Sequence, residues 1–345
     1  MSELSGVVER LLERSQAIVS KDRQVLTLGV AGCVIRIVSA GPAMLNFVRP
    51  AFAHLEPLAD DVPADLTVTT WDSRSTGEPY PDLPLVDVGP LATGIVTAPG
   101  LLMSYYSVGR AMSVLNRTAD QAMFIVDDAS ILPPWERPSP LRTILSWWFM
   151  DRGKLLAHAA AVSTDDGAAL LIGPSGSGKS STALACLAGG MGYLGDDYVL
   201  IDLASNEVWS LFGSAKLVAD HLMQNPGLMT SDGVIVHEAK AVKHYGWPST
   251  EFPERARLRA PIRALVLPTV TRGPECRLVP STSARALLAL APSTMFQSPA
   301  LKETAFGLST DLVRCFSPFR LELGEGVEQV PTMLSELICQ GREKA

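Results

Sequence analysis

The chain has few cysteines, and none stand in pairs. Cys33, Cys186, Cys276, Cys315 and Cys339 are odd in number, scattered and free of any C-x-x-C spacing. They predict neither a disulfide framework nor a zinc knuckle, and suit a reducing cytoplasm. The five histidines include no pair at metal-ligand spacing, so no zinc site is expected. An excess of positive charge is also missing. With a formal net charge of −7, the chain does not suit nucleic acid as a main partner, because phosphate backbones are held by dense Lys and Arg surfaces. Uninterrupted apolar runs of about 20 residues are absent too. The richest window, LATGIVTAPGLLMSYYSVG (91–109), is broken by Thr, Pro, Gly and Ser, so no transmembrane helix and no membrane partner are expected. The opening MSELSGVVERLLERSQ has early acidic residues and sets Val7, Val8, Leu11 and Leu12 on one helix face, unlike a secretory leader.

What is present is ample core material: 47% of the 345 residues are hydrophobic and 19% charged, the balance of a folded α/β protein of one large or two modest domains. The sharpest punctuation is LPPWERPSP (132–140), whose prolines stop helices and strand ladders. It sets an expected boundary between a small N-terminal α/β domain (1–137) and a second domain (138–345). Before it, β-like runs at Val25–Val38, Asp65–Trp71 and Ala122–Val126 alternate with a helix predicted from Pro42 to Leu55. This domain is expected to serve recognition or oligomerisation, and a homo-oligomer is compatible with it. After the prolines, LRTILSWWFMDRG has helical spacing ended by Gly153, and two β-like runs follow, LLAHAAAV and AALLI.

The second run feeds directly into GPSGSGKS (173–180), and STALACLAGG then predicts a helix stopped by the glycine pair 189–190. The string satisfies G-x-x-x-x-G-K-[ST] at Gly173, Gly178, Lys179 and Ser180. Strand, glycine loop and helix together are the context of a nucleotide phosphate loop. Gly173, Pro174, Ser175, Gly176, Ser177, Gly178, Lys179, Ser180 and Ser181 would therefore line the nucleotide site. Lys179 would neutralise the β and γ phosphates of ATP, and the Ser180 hydroxyl would bind Mg²⁺.

Downstream, GYLGDDYVLI sets Asp196 and Asp197 beside an apolar run, Tyr198–Ile201, that suits a buried strand. One carboxylate there would reach Mg²⁺ through water and the other would accept a proton from an attacking hydroxyl. Asp127 and Asp128, after MFIV, imitate this pattern. They precede the glycine loop and the prolines, and are expected to end a strand in a turn. STDDG between LLAHAAAV and AALLI suits a tight hairpin turn. A two-residue turn at Asp165-Asp166 or Asp166-Gly167 would set position 158 opposite 173 or 175, bringing His158 to the start of the loop.

HAAAV, GPSGSGKSSTAL and GYLGDDYVLI, in this order and at this spacing, resemble the catalytic domain of the HPr kinase/phosphorylase family over residues 140–335. The resemblance implies a P-loop kinase domain of HPr kinase/phosphoenolpyruvate carboxykinase type. It implies catalytic roles for His158, Lys179, Asp196 and Asp197, with Asp196 as general base and Asp197 joining Ser180 at Mg²⁺; the motif alone leaves that division open. No E-I-R-G-x-G string follows Asp202. The resemblance is therefore to divergent kinases of this superfamily, which phosphorylate serine hydroxyls of ribosomally made peptides, such as lasso-peptide precursors, or free serine. An acceptor on a peptide, a protein or a small molecule follows; a nucleotide-sensing module without transfer is a rival that has no need of His158 and the aspartate pair. Lys216, Lys240 and Lys243 stand where similar family members carry a lysine-bearing loop near the substrate. Met223–Asp232 is predicted to be a mobile loop. If RARLR (255–259) is extended, Arg255, Arg257 and Arg259 share one face, which would attract an anionic peptide or phosphate or else simply be solvated.

Overall fold

The computed structural model describes residues 3–81, 93–106, 109–218, 234–238, 241–271, 273–298 and 300–343. Over the described residues it is a mixed α/β structure with three sheets, and the chain divides into two compact units, Met1–Trp148 and Phe149–Ala345.

In the first unit the run expected from Val25 to Val38 is a hairpin rather than one strand. Strands β1 (Arg23–Val30) and β2 (Cys33–Ala40) are joined by Ala31 and Gly32, at φ of 51° and 75°. Two left-handed residues in succession match the right-handed twist of paired strands, which is why such turns close hairpins. Helices α1 (Glu3–Val19) and α2 (Pro42–Phe52) flank a sheet completed by β3 (Leu66–Asp72), β4 (Thr93–Ala98), β5 (Leu101–Tyr106), β6 (Ala111–Asn116) and β7 (Gln121–Val126). The order is β1-β2-β3-β7-β6-β5-β4, with β2, β3 and β7 mutually parallel. Val8, Leu11 and Ile18 of α1 are buried with Trp71, Met112 and Ile125 of the sheet. The Trp71 indole N–H donates to Ser15 Oγ at 3.0 Å, which satisfies a polar atom that burial would otherwise leave costly. Asp128 does end β7 in a turn: it accepts from the Ser130 amide at 2.8 Å and pairs with Arg74 at 2.9 Å.

Helix α3 (Arg142–Met150) contains the division between the units, downstream of the boundary expected from the prolines. The proline-rich stretch is tied to the start of this helix, where the Arg142 guanidinium donates to Ser139 Oγ and the Glu136 carboxylate at 3.1 and 3.4 Å.

The second unit is built on strands β8 (Lys154–Ala157), β9 (Ala159–Thr164), β10 (Gly167–Ile172), β11 (Gly192–Gly195), β12 (Val199–Asp202) and β13 (Glu207–Trp209). A small antiparallel sheet follows: β14 (Ala215–Val218), β15 (Val234–Glu238) and β16 (Ala241–Gly246), in the order β14-β16-β15. The chain then returns through β17 (Arg259–Val270), β18 (Arg277–Pro280) and β19 (Pro318–Leu323). The main sheet runs β11-β9-β10-β17-β13-β12-β8, and β19 pairs with β17 and β18. Among the described residues, the longer helices of this unit are α4 (Lys179–Ala188), α5 (Ser283–Gln297), α6 (Lys302–Cys315) and α7 (Val330–Glu343), and a single turn of helix spans Pro248–Glu251. Ala183, Leu184 and Leu187 of α4 and Leu334, Leu337 and Ile338 of α7 are buried with Val162, Leu171 and Val266 of the sheet. Burial of each large aliphatic side chain contributes about 1.5–3 kcal/mol, so the placement of α4, and of the loop that opens it, is set by core packing. No described helix is long and apolar enough to cross a membrane.

His54 follows α2, and burial of its ring pushes its pKa from 6.5 down to about 4. The unfolded chain takes up this proton as pH falls below 6.5, whereas the folded chain resists it until about 4. Stability should therefore fall with pH across that window. His54→Gln is expected to flatten the plot of urea midpoint against pH between these values; an unaltered slope would show that His54 is not its source.

Candidate active site

The turn Asp165–Asp166 contains two residues, and β9 and β10 pair with Thr164 opposite Gly167 and Ala159 opposite Ile172. That register sets His158 opposite Gly173, the first of the two expected alternatives. LLAHAAAV, however, is two strands. β8 pairs with β12, with Ala157 opposite Val199, whereas β9 pairs with β10 and β11. His158 is the residue at which the chain changes partners. Its amide instead donates to Thr294 Oγ1 of α5 at 3.3 Å, which holds the histidine's backbone where ladder pairing is interrupted.

The glycine loop leaves β10 at Gly173 and opens α4 at Lys179, with Ser180 and Ser181 in the first helical turn. Pro174, Ser175 and Gly176 are exposed, and the Ser177 amide closes a turn onto Pro174 O at 3.2 Å. Gly178 has φ 106°, and a Cβ there would lie 2.4 Å from Leu323 Cδ1. Both backbone and space thus demand glycine. The first intrahelical bond of α4 is from the Thr182 amide to Gly178 O, which leaves the preceding amides at the positive end of the helix. Lys179 is 5% exposed and its ammonium donates to Gly173 O at 2.7 Å and Pro174 O at 3.2 Å. Burial lowers its pKa from the usual lysine value, against the charges of Asp196 and Asp197, and Lys216 adds to the lowering.

Asp196 and Asp197 lie between β11 and β12. In an extended strand their side chains would point to opposite faces of the sheet. Asp197 is instead left-handed, at φ 65°, and the Tyr198 amide donates to Asp196 O at 2.8 Å across it. A three-residue turn with positive central φ is rare and strained. It breaks the strand alternation, so that one neighbour, Lys216, meets both residues. The Lys216 amide donates to Asp196 Oδ2 at 3.0 Å, and its ammonium stands 3.6 Å from Asp197 Oδ2. His158 Nε2 is 3.5 Å from Asp197 Oδ1.

The two carboxyl groups differ sharply. Asp196 is 1% exposed, and its Oδ1 is buried without a full hydrogen bond. Burial and the adjacent Asp197 charge raise its pKa; the Lys216 amide, the Ser180 hydroxyl and the Asp197 amide oppose them. Burial also acts to raise Asp197, but His158, Lys216 and Lys179 together outweigh it and hold this carboxyl ionised, well below the usual range. The surroundings are aromatic. The Tyr198 ring lies 5.5 Å from His158 and edge-on to Phe212 at 6.5 Å, and the Lys216 ammonium is 5.8 Å from the Tyr245 ring centre. The Tyr193 hydroxyl donates to Ser214 O at 2.7 Å, anchoring the chain just before β14.

The structure thus gathers His158, Lys179, Ser180, Asp196, Asp197 and Lys216. Arg257 is not with them: Arg255 lies in a turn and β17 begins only at Arg259, so RARLR does not form the extended face expected. The Arg257 guanidinium donates to Glu254 O and Ala256 O. Lys240, the side chain of Lys243 and the Met223–Asp232 segment lie outside the described residues. Thr294 and Tyr198 were not anticipated. Tyr198 had a signal in its place beside the aspartates; Thr294, 136 residues from His158, had none, because only the fold joins them.

No protein-family model matches the chain, and no curated protein matches it. Among solved structures it is similar to the HPr(Ser) kinase/phosphatase from Coxiella burnetii, with 11% identity and a TM-score of 0.26, over 54% of this chain and 95% of that one. At that level no residue role passes from one protein to the other.

Gly178→Ala should cost about 1–3 kcal/mol, from the left-handed backbone and the contact with Leu323. A lowered urea midpoint is the expected reading, and a value equal to wild type would show that the loop tolerates a Cβ there.

Proposed function

We propose that this site transfers the γ-phosphoryl group of Mg-ATP to an alcohol, in the manner of an HPr kinase-like serine kinase. What supports this most is the convergence of a glycine loop and its lysine with two carboxylates in opposite electrostatic states. A nucleotide-binding module needs the loop; it has no use for a strained aspartate held ionised beside a histidine.

The loop amides and Lys179 would hold the phosphates. Asp196 Oδ1, buried without a full hydrogen bond near the Ser180 hydroxyl, offers the hard oxygen donors that Mg²⁺ takes. Bound there, Mg²⁺ would neutralise charge on the β and γ phosphates. These contacts favour Asp196 with Ser180 at the cation and Asp197 as general base, the opposite of the division that the family resemblance implies. Access supports the same reading. The Asp197 side chain is 20% exposed, more accessible to an incoming hydroxyl than Asp196, at 1%. Asp197 would take the acceptor proton as the acceptor oxygen bonds the γ phosphorus and ADP leaves with the bridging electron pair. His158 would fix the orientation of the Asp197 carboxylate. The acceptor we propose is a serine hydroxyl on a peptide or protein, with free serine as the small-molecule comparison.

The test is incubation with Mg-ATP and serine-containing peptides, or free serine, followed by mass spectrometry for a gain of about 80 Da, one phosphoryl group. Lys179→Ala should abolish nucleotide binding. Asp197→Asn should keep it and slow transfer by about 10²–10⁴-fold. Asparagine tolerates the left-handed backbone at least as well as aspartate, so this variant reports on charge rather than on the turn. Transfer by Asp197→Asn at the wild-type rate would remove Asp197 as the base.

A further inference from the structure

Lys216 has three ties to the site. Its amide fixes Asp196 Oδ2, its ammonium lies 3.6 Å from Asp197 Oδ2 with the side chain 22% exposed, and its charge is felt at Lys179. Two ammonium groups therefore flank the aspartate pair, one from the glycine loop and one from β14. The Lys216 backbone is fixed by its bond to Asp196 and by pairing with Tyr245 of β16, so that only its flexible stem has to move to bring the ammonium from Asp197 to a nearby anion.

Charge balance points the same way. Lys179 and Lys216 face Asp196 and Asp197 before any nucleotide enters. With Asp196 committed to a cation, two lysines face one carboxylate and a phosphoryl group whose three equatorial oxygens carry spread charge during transfer. Without Lys216, one lysine would share that space with Asp197 and the phosphoryl group, leaving excess negative charge at the reacting centre. Positive charge in such a partly dry site is worth far more than in water.

We propose that Lys216 is a second catalytic cation, which contacts the γ-phosphoryl oxygens as the bond from phosphorus to the bridging oxygen breaks and that to the acceptor oxygen forms. The electron pair of the broken bond leaves with ADP, the acceptor proton goes to Asp197, and Lys216 keeps its own proton throughout. This rests on the kinase reading above, but gives Lys216 a role at the phosphoryl group rather than in holding the acceptor.

Aluminium fluoride with Mg-ADP, a mimic of the transferring phosphoryl group, needs no knowledge of the acceptor. Calorimetry should show wild type binding Mg-ADP, and binding it more tightly with aluminium fluoride. Lys216→Met, which keeps the stem and removes the charge, should bind Mg-ADP within about threefold of wild type and lose the fluoride-dependent tightening by at least about tenfold. Lys216→Arg should recover part of it, and matching urea midpoints would exclude misfolding. Equal tightening in Lys216→Met and wild type, or none in wild type, would overturn the role of Lys216. A wild-type chain that binds no Mg-ADP would instead overturn the kinase reading itself.

Discussion

The candidate site depends on one bend. At Asp197 the backbone takes a left-handed φ of 65° between two strands, and the Tyr198 amide bonds back to Asp196 across it. Straightening that turn would send the two carboxyl groups to opposite faces of the sheet. Conformations of this kind cost of order 1–3 kcal/mol and persist only where the surroundings over-determine them. Here the surroundings do so: Asp197 is held by His158 and Lys216, and Asp196 by the Lys216 amide. Neighbouring aspartates thereby acquire different characters, one closed in and reluctant to ionise, the other partly open and kept charged.

The electrostatic arrangement works against stability. A lysine at 5% exposure and an aspartate at 1% are groups a protein rarely buries without close partners. Lys179 is satisfied by main-chain oxygens of its own loop, while Asp196 keeps one oxygen without a full hydrogen bond. Local rules of foldability are broken at several neighbouring positions, the pattern that marks functional sites in otherwise consistent sequences.

Much of the site was legible because its signals are local. The glycine loop, the helix that follows it and the Asp165–Asp166 turn each lie within a few consecutive residues, and the turn alone sets the register that ends with Ala159 opposite Ile172, one residue short of both His158 and the loop. The errors have a common origin. LLAHAAAV has the composition of one strand, but His158 is where the chain changes from partner β12 to partners β10 and β11, and pairing choices are not written in apolar composition. Val25–Val38 misled in the same way, since Ala31 gives no compositional warning of a left-handed residue. An extended RARLR would set three arginines on one face, but the chain there turns before β17 begins. The roles of Lys216 and Thr294 come from residues brought in by separate elements, which no spacing rule reports.

The position of β10 also bears on when the site can exist. This strand carries the glycine loop, yet its parallel partner is β17, with Ala169 opposite Ala264, about 95 residues later in the chain. β17 in turn leans on β19, with Leu265 opposite Pro318. A hairpin such as β9–β10 closes in about 1–10 μs, but parallel pairing over this separation has to wait for slower, non-local closure. During synthesis the glycine loop emerges long before the strand that supports its far side, and Leu323, which packs against Gly178, comes later still. The platform of the glycine loop is therefore a property of the nearly finished chain, and truncation between α4 and β17 should leave the loop with its consensus intact and its parallel partner missing.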